Sequence, residues 1–425
     1  MNILLVGSGG REHTLAWKLK QSGRSGSIFI APGNAGTANS FTNLDIAVTD
    51  FEGLAAACIN NKIELLVVGP EEPLVKGITD FFKAGDSTKH IHIIGPAKEA
   101  AQLEGSKAYA KAFMSRHNIP TAAYREFTAE NYEEGIAYIK NHSLPIVLKA
   151  DGLAGGKGVL ICNSAIEALA EFELMILRSK FGEAGKKVVI EEFLKGIEVS
   201  VFALTDGKDY VLMPEAKDYK RIGEGDKGLN TGGMGAVSPL PFFDDVLKQK
   251  IINSIIEPTI YGLHKEKMDY KGFVFFGLMI NEGEPSVIEY NCRMGDPETE
   301  VVIPRLKNDL LELLLATSRQ RLKEITIDTD NRTAVAVVAV SGGYPGLYEN
   351  GKIIHGLNTG LPGSIIFHAG TKKLGNDVVT NGGRVLVITS FGENIKEAAE
   401  QSNYLAEQIY FDGMKSRTDI GFEFI

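Results

Sequence analysis

Residues 2–13, NILLVGSGGREH, place a short apolar run directly before a glycine-rich turn. Three more runs follow the same plan, SIFI at 27–30, ELLVV at 64–68 and HIHII at 90–94, and each ends in a loop that contains glycine or proline. Apolar runs that alternate with helix-like stretches predict βα units and a parallel sheet in this part of the chain. Because ligands bind at the carboxyl ends of such strands, the first three loops form the candidate binding edge.

The glycines of the first turn do not complete a dinucleotide-binding fingerprint. Gly7 and Gly9 fit the GxGxxG spacing, but Glu12 stands where the third glycine belongs, and no acidic residue ends the second strand. A hydride-transferring dehydrogenase is therefore disfavoured. A bare tight turn stays open, while Arg11 at the start of the following helix favours a site for a different phosphate.

Composition excludes several classes of protein. The chain has 425 residues, 44% of them hydrophobic, and a formal net charge of −9, so it has no global basic field for nucleic acid or an anionic membrane. No apolar run is long enough to span a membrane, and the N-terminal run is too short for a signal peptide. The scattered Cys58, Cys162 and Cys292 predict reduced core thiols in a cytosol rather than disulfides or a zinc site.

A second glycine-rich stretch, KADGLAGGKGV at 149–159, lies between two predicted strands and does not open a helix. A P-loop would need glycine at Asp151 and serine or threonine at Gly158. A flap between strands can instead cover a nucleotide triphosphate, since backbone N–H groups reach phosphates where no Cβ intervenes. Lys149 and Lys157 add positive charge, although a purely structural hairpin stays open.

The stretch SVIEYNCRMGDPETE at 286–300 carries Glu289, Asn291 and Arg293 at alternate positions. Alternate residues of a strand point to one face, which predicts a carboxylate, an amide and a guanidinium side by side. Oxygen ligands suit a Mg²⁺ ion that bridges phosphates, and a cation stabilises a phosphoryl group in transfer. A half-solvated strand without a ligand is the alternative.

The rest of the chain predicts helices, further strands and one long loop. Ser106 is the expected N-cap of a helix that ends at Pro120. Residues 218–239 are expected to form a polar, glycine-rich loop, and a helical stretch is expected after Pro304. The last hundred residues, which begin with RTAVAVVAV at 332–340, predict a separate small β-rich module.

Seven motifs stand in one order along the chain: GSGGREH (7–13), PGNAGT (32–37), VGPEEPL (68–74), KADGLAGGKGV (149–159), IEEFLKG (190–196), NTGGMGA (230–236) and EYNCRMGDPETE (289–300). Together they resemble the glycinamide ribonucleotide synthetase family of the ATP-grasp superfamily, and the resemblance covers essentially the whole chain. It implies an α/β and α+β fold in three parts. These are an N-terminal parallel-sheet α/β domain for substrate binding (1–103), a central ATP-grasp domain (104–326) with a mobile lid at about 122–191, and a small β-rich C-terminal domain (327–425).

The resemblance also implies a reaction. ATP would phosphorylate glycine to glycyl phosphate, and the amine of 5-phosphoribosylamine would attack it to give glycinamide ribonucleotide, ADP and phosphate in de novo purine biosynthesis. The expected cofactors are ATP, as a substrate, and Mg²⁺ or Mn²⁺. The expected enzyme is a cytoplasmic monomer without nucleic-acid or membrane partners. No protein nucleophile is needed, in keeping with the lack of a Ser/His or Cys/His constellation.

Residue roles are carried over from the family motifs. ATP would be bound by Lys107, Lys149, Leu153, Gly155, Gly156, Lys157, Gly158, Glu191, Glu192, Phe193, Leu194 and Glu198. Phosphoribosylamine would be bound by Gly9, Gly10, Arg11, Glu12, Asn34, Glu71, Asn230, Thr231, Gly232, Gly233, Met234 and Arg293. Glu289 and Asn291 would bind the metal, and the catalytic residues would be Arg293, Asp296 and Lys149.

Two departures from the pattern are visible. Tyr219 stands where the family usually has histidine and Met294 where it usually has phenylalanine, and both are expected to tune loop packing. The strand VFFGLMI at 274–280 carries no acid, which leaves the ligands of a second metal open. The alternative functions are another ATP-grasp carboxylate–amine ligase and a non-catalytic nucleotide sensor, although a sensor is disfavoured because Glu289, Asn291 and Arg293 are all present.

Overall fold

The computed structural model describes residues 1–154 and 158–425. Its N-terminal part consists of β1 (Asn2–Gly7), α1 (Gly10–Leu19), β2 (Ile28–Pro32), β3 (Thr42–Asn43), α2 (Phe51–Asn60), β4 (Ile63–Val68), α3 (Glu71–Lys76), α4 (Ile78–Ala84) and β5 (His92–Ile94). The strands form one sheet in the order β3-β2-β1-β4-β5, and every pair in it is parallel. The predicted parallel sheet is confirmed. The loops after β1, β2 and β4 therefore lie at one edge.

The next part contains α5 (Gln102–Gly105), α6 (Lys107–Arg116), β6 (Tyr124–Thr128), α7 (Tyr132–Lys140), β7 (Ile146–Ala150), β8 (Val159–Cys162), α8 (Ala165–Ile176) and β9 (Lys187–Glu192). Ser106 caps α6 as predicted, since its hydroxyl accepts the N–H of Tyr109. The four strands form an antiparallel sheet, β6-β9-β7-β8, which we call the lid sheet (residues 124–192). The apolar side chains of the sheet, such as Phe127, form a separate core with those of α7 and α8, such as Phe172.

The chain continues through β10 (Ile197–Thr205), β11 (Tyr210–Leu212), β12 (Lys217–Asp218), β13 (Arg221–Gly223), β14 (Lys227–Asn230), β15 (Gly235–Ser238), α9 (Asp245–Ile251), α10 (Glu257–Lys265), β16 (Gly272–Asn281) and β17 (Glu284–Asn291). A second antiparallel sheet has the order β11-β10-β16-β17. The expectation of a loop over 218–239 is wrong, because β13 and β14 pair as a hairpin and β15 joins a sheet. Glycine-rich composition concealed these short strands, whose pairing partners are set by tertiary structure.

The last elements are α11 (Thr299–Arg305), α12 (Leu310–Ser318), β18 (Thr333–Val340), β19 (Ser364–His368), β20 (Thr371–Leu374), β21 (Asp377–Thr380), β22 (Arg384–Gly392) and α13 (Ile395–Glu407). The C-terminal part is β-rich as predicted, but it is not separate. Its main sheet has the order β12-β15-β18-β22-β19 and so includes two strands from before residue 240. Pro304 lies inside α11, and the predicted helical stretch after it is α12.

Two further cores join the parts of the molecule. One combines α2 and α4 with β16, β17 and α10, and the other combines α1 with α11, α12, β18 and β22. All three cysteines are buried and free, which confirms the expectation of core thiols. Within the described residues, no helix has the length and apolar character needed to cross a membrane.

Candidate active site

A β-bulge at the end of β17 organises the site. Relative to β16, Val287 pairs with Leu278 and Glu289 with Gly277, so Ile288 is an extra residue between them. Bulges of this kind redirect side chains next to active sites. Lys149 of the lid sheet donates a hydrogen bond to the carbonyl oxygen of Ile288 at 3.2 Å. Since the residue opposite Glu289 is glycine, β16 brings no second carboxylate to this point.

Glu289 faces a group of lysines. Burial by itself would raise the pKa of Glu289, but Lys220, Lys149 and Lys107 outweigh burial and hold the pKa below its ordinary value. Glu289 is therefore ionised at neutral pH. Lys107, at the start of α6, donates to the carbonyl oxygen of Gly152 at 3.1 Å, and burial lowers its pKa. The positive charges of these lysines stabilise the carboxylate from a distance, and they would also stabilise an anion bound beside it.

Lys149 also forms part of a buried charge cluster with Glu191 and Lys111. Its Nζ lies 2.9 Å from Oε2 of Glu191, and Nζ of Lys111 lies 3.1 Å from the same oxygen. All three side chains are almost wholly buried. Burial lowers the pKa of Lys111 to about 8, although Glu191 opposes this shift. Lys111 was not predicted, and its position on the helix after Ser106 was the only available signal.

Glu198 lies on β10 and forms an ion pair with Lys220. Burial would lower the pKa of Lys220, but Asp218 and Glu198 hold it well above its ordinary value. Burial raises the pKa of Asp218 itself to about 7, although Lys220 opposes this shift. The ion pair thus links Glu198, which is predicted to bind the nucleotide, to Lys220, which precedes the predicted substrate loop 230–234.

Arg293 is held by carboxylates from the N-terminal part and from α5. Its Nη2 lies 2.7 Å from Oε1 of Glu104, and its Nε lies 3.4 Å from Oε2 of Glu71. The other oxygen of Glu104 accepts the N–H of Cys292 at 2.7 Å. Turning the Asn291 amide lets its nitrogen donate to Glu104 at 2.9 Å. One carboxylate thus contacts three consecutive residues at the end of β17, and sequence reasoning missed it.

Burial strongly affects the two carboxyl groups around Arg293. Burial raises the pKa of Glu104 to about 7, although Arg293 opposes this shift. For Glu71, burial is outweighed by Arg293 and Arg11, and its pKa is lowered. The guanidinium is therefore bound on one side by an ionised carboxylate and on the other by a group that titrates near neutrality.

The first glycine turn is occupied by a carboxylate of the protein itself. Glu12 accepts the N–H of Gly9 at 2.6 Å and the Nε of Arg11 at 2.6 Å. Nη1 of Arg11 donates to the carbonyl oxygen of Met294 at 3.2 Å. The Glu12 side chain thus caps the N-terminus of helix α1, since it accepts the N–H of the N-cap residue Gly9. The phosphate cradle expected at Gly9, Gly10, Arg11 and Glu12 stays a prediction, and an incoming phosphate would meet Glu12 there.

Asp296 lies between that turn and the C-terminal sheet. One carboxylate oxygen is 3.5 Å from the backbone nitrogen of Arg11, and the other is 3.0 Å from Nη1 of Arg384. The predicted substrate loop, residues 230–234, lies beside it, and the backbone N–H and hydroxyl of Thr231 both donate to the carbonyl oxygen of Lys220. Arg384 was not predicted, because a charged residue at the start of a C-terminal strand carries no sign of its distant partners.

The other predicted residues lie nearby. Asn34 uses its whole amide within the protein, donating to the carbonyl oxygens of Ser8 and His368 and accepting the N–H groups of Gly36 and Thr37. Glu192 accepts the N–H of Ala123 at 2.9 Å. Leu153 is exposed, Phe193 and Leu194 are half-buried after β9, Gly158 is buried before β8, Asn230 and Gly232 are exposed, and Gly233 and Met234 are buried. Gly155, Gly156 and Lys157 lie outside the described residues.

The two departures from the family pattern are buried. The Tyr219 hydroxyl donates to Glu423 at 2.8 Å, and its ring lies between Nζ of Lys217, at 4.0 Å, and the guanidinium of Arg417, at 5.3 Å. Met294 is a core residue whose carbonyl oxygen accepts hydrogen bonds from Arg11 and Arg293. Tyr219 and Met294 belong to two different hydrophobic cores, and neither side chain offers an imidazole in the way that histidine would.

An antiparallel lid sheet and a second antiparallel sheet enclose lysines and carboxylates next to a parallel-sheet domain, and this arrangement defines the ATP-grasp class of ATP-dependent enzymes. The chain superposes on the biotin carboxylase of Campylobacter jejuni with a TM-score of 0.73 at 14% identity, over 99% of this chain and 94% of the other, which shows the shared fold. Three models of phosphoribosylglycinamide synthetase match in order: the N domain at residues 1–104, the ATP-grasp (A) domain at 105–299 and the C domain at 334–423.

The chain belongs to the phosphoribosylamine–glycine ligase family. It is 47% identical to the phosphoribosylamine–glycine ligases of Yersinia pestis and Escherichia coli K12, over 100% of this chain and 99% of each relative. It also superposes on the crystal structure of that enzyme from Thermotoga maritima with a TM-score of 0.85 at 36% identity, over 99% of this chain and 100% of the other. The protein is thus an ATP-grasp ligase of purine biosynthesis, as its motifs indicated.

Proposed function

We propose that this chain joins glycine to 5-phosphoribosylamine at the expense of ATP, through glycyl phosphate. The observation that carries the proposal is the end of β17. There the charges of Lys220, Lys149 and Lys107 keep Glu289 ionised, while Arg293, four residues on, contacts Glu71 of the binding edge. One short stretch of chain thus separates two neighbouring sites, one suited to a triphosphate and one suited to the amine.

The ATP end of the site comprises Lys107, Lys149, Glu191, Glu198 and Glu289. Lys107 and Lys149 would bind phosphate oxygens, since both positive charges already act on the carboxylate of Glu289. The segment from Glu191 to Leu194 would hold the adenine, and Glu198 the ribose hydroxyls. The Lys220 side chain that pairs with Glu198 would then be shared between nucleotide and protein.

A divalent cation fits the residues that are present. Glu289 is ionised and Asn291 offers an amide oxygen, and both are donors that Mg²⁺ or Mn²⁺ accepts. Among the described residues, no cluster of three histidine, cysteine or acidic side chains could hold a metal alone. We therefore propose that Glu289 and Asn291 hold the ion together with oxygens of the nucleotide. When bound, the ion would neutralise charge on the phosphoryl group in transfer.

The amine end of the site comprises residues 9–12, Glu71, Asp296 and the loop 230–234. Arg293 stands between the two ends, where its charge would stabilise the acyl phosphate and the developing negative charge. The residues around it position the reactants and exclude water, which is what an amide ligation demands when no protein nucleophile takes part. We propose that the enzyme acts as a monomer, and its buried free thiols suit a reducing cytoplasm.

The test measures ADP release with glycine and with phosphoribosylamine generated in place from ribose 5-phosphate and ammonia. Release should require ATP, glycine and phosphoribosylamine together, and omission of any one should reduce it to background. Release that needs a different carboxylic acid or a different amine would identify another ATP-grasp ligase. Binding of ATP without release under any combination would identify a nucleotide sensor.

A further inference from the structure

Two residues of the C-terminal part hold the backbone of Gly232, at the centre of the loop 230–234. The N–H of Gly232 donates to the hydroxyl of Tyr344 at 2.9 Å, and its carbonyl oxygen accepts from Nη1 of Arg384 at 2.7 Å. A Cβ on Gly232 would lie 3.0 Å from Cζ of Arg384, so the guanidinium packs directly against the glycine. Both polar groups of this peptide segment are therefore fixed from outside the loop.

The same guanidinium holds the segment that carries Asp296. Nη1 of Arg384 donates to the carbonyl oxygen of Asp296 at 2.6 Å and lies 3.0 Å from its carboxylate. Next to it, Gly233 has a φ of +119°, and a Cβ there would lie 2.4 Å from Cδ of Pro297. The loop and the Asp296 segment thus touch each other, and Arg384 bonds to both.

Arg384 differs from the other arginines at this end. Arg11 uses two of its nitrogens on Glu12 and Met294 and is 9% exposed, whereas Arg384 uses Nη1 alone among the described residues and is 22% exposed. Its contacts are with the backbone oxygens of Gly232 and Asp296 as well as with a carboxylate. This is the geometry of a side chain that sets the separation of two loops.

We propose that Arg384 and Tyr344 are positioning residues that place Gly232 and Asp296 for the phosphoribosylamine. This inference rests on the proposed function, because it assigns the C-terminal part a task in that reaction. Neither side chain contacts Lys107, Lys149 or Glu191, so ATP binding should be independent of them. Loss of either should weaken the use of the amine while leaving the use of ATP unchanged.

The experiment compares Arg384→Ala, Arg384→Lys and Tyr344→Phe with two matched controls, Arg321→Ala, at an exposed arginine paired with Glu324, and Tyr348→Phe, the neighbouring tyrosine. For Arg384→Ala, KM for phosphoribosylamine should rise by about tenfold or more, with KM for ATP within twofold of the parent, since hydrogen bonds to a charged group are lost. Arg384→Lys should restore part of the loss, because an ammonium keeps the charge without the planar fork. Tyr344→Phe should raise the same KM by roughly threefold.

Several outcomes would overturn the inference. Unchanged KM for the amine in Arg384→Lys and Tyr344→Phe, both of which preserve packing, would do so even if Arg384→Ala fails to fold. Equal increases in both KM values, or a fall in melting temperature with unaltered kinetics, would assign the pair a structural role alone. ADP release by the parent enzyme distinguishes failure of the proposed function from failure of this inference. If it releases no ADP with glycine and phosphoribosylamine, the proposed function fails, and if it does so while the variants match it, only this inference fails.

Discussion

The ATP end and the amine end of the site are built differently. At the ATP end, Lys149 and Glu191 belong to the lid sheet, which packs on its own core, whereas Glu289 lies on β17, whose apolar side chains belong to another core. At the amine end, α1, α11, β18, β19 and β22 contribute to one continuous core beneath Arg11, Asp296 and Arg384. An end divided between two cores can open without breaking either of them, while an end above one core is already formed. Nucleotide entry therefore depends on movement between two cores, whereas amine recognition depends on a surface that is already formed.

The largest expected effect concerns the independence of the lid sheet. Phe172 is wholly buried in the lid core and stacks on Tyr132 at 5.2 Å between ring centroids. Phe172→Ala should destabilise this unit by about 3–5 kcal/mol, because it removes a large buried side chain. Hydrogen exchange should increase over residues 124–192 and stay unchanged in the N-terminal sheet. The exposed Ile166→Ala is the control, and a uniform increase along the chain would mean that the lid and the body unfold as one unit.

The second effect concerns the residue that the two ends share. Arg293→Ala should lower kcat by roughly 10² or more, on the scale of a single lost donor to developing charge. Steady-state ADP release measures kcat. A melting curve of the alanine variant shows whether Glu104 and Glu71, which lose their arginine partner, destabilise the fold. The kcat of Arg293→Lys, which keeps the charge, should lie between those of the parent and of the alanine variant. Near-normal turnover of the alanine variant would remove Arg293 from the reaction.

The third effect belongs to the ATP end alone. Glu289→Gln removes the ionised oxygen donor while keeping its volume, so the Mg²⁺ concentration for half-maximal activity should rise by about tenfold or more. KM for phosphoribosylamine should not change. A titration of Mg²⁺ at saturating ATP measures the effect, with Glu284→Gln, on an exposed carboxylate of the same strand, as the control. An unaltered Mg²⁺ requirement would argue against metal binding by Glu289.

The fourth effect belongs to the amine end alone. Arg11→Ala should raise KM for phosphoribosylamine by about tenfold and leave KM for ATP unchanged, because a charged donor beside the first turn is lost. Arg24→Ala, at an exposed arginine paired with Glu312, is the control. The reverse pattern, with ATP affected and the amine spared, would move the amine site away from the first turn.

The smallest expected effect concerns the stability that neutral histidines contribute at the amine end. Nδ1 of His13 accepts the N–H of His368 at 2.8 Å, and burial lowers the pKa of His368 to about 4. An unfolded histidine binds a proton near pH 6.5, so the contribution of His368 is complete above that pH and is lost as the pH falls towards 4. At pH 5.5 the loss should be about 1 kcal/mol. Melting curves of His368→Gln should therefore show a weaker acid dependence than the parent, and parallel curves would contradict this.

Much of the fold followed from local patterns. The apolar runs of the first hundred residues predicted the parallel sheet, and the position of Ser106 predicted the start of α6. The alternation in 286–293 predicted Asn291 and Arg293 on one face, and both side chains contact Glu104. These features depend on periodicity and capping within a few residues, and such local patterns predict secondary structure directly from the sequence. The residue roles at both ends stay predictions until the kinetics are measured.

The missed features depend on distant partners. The pairing of β15 with β18 joins residues about a hundred positions apart and turned an expected loop into a strand. The contact between Glu104 and Cys292 spans 188 positions, and that between Arg384 and Gly232 spans 152. No local pattern marks such residues, since a buried carboxylate and a surface one look the same in a sequence.

The sequence by itself determined the parallel sheet of the N-terminal part, the seven motifs and, through them, the family. Only the tertiary structure decided that Glu12 closes the first glycine turn, that one carboxylate holds three residues at the end of β17, and that the C-terminal part reaches the loop 230–234. The reason is physical. Backbone preference is local, whereas the partner that satisfies a buried charge is set by which surfaces the folded chain brings together.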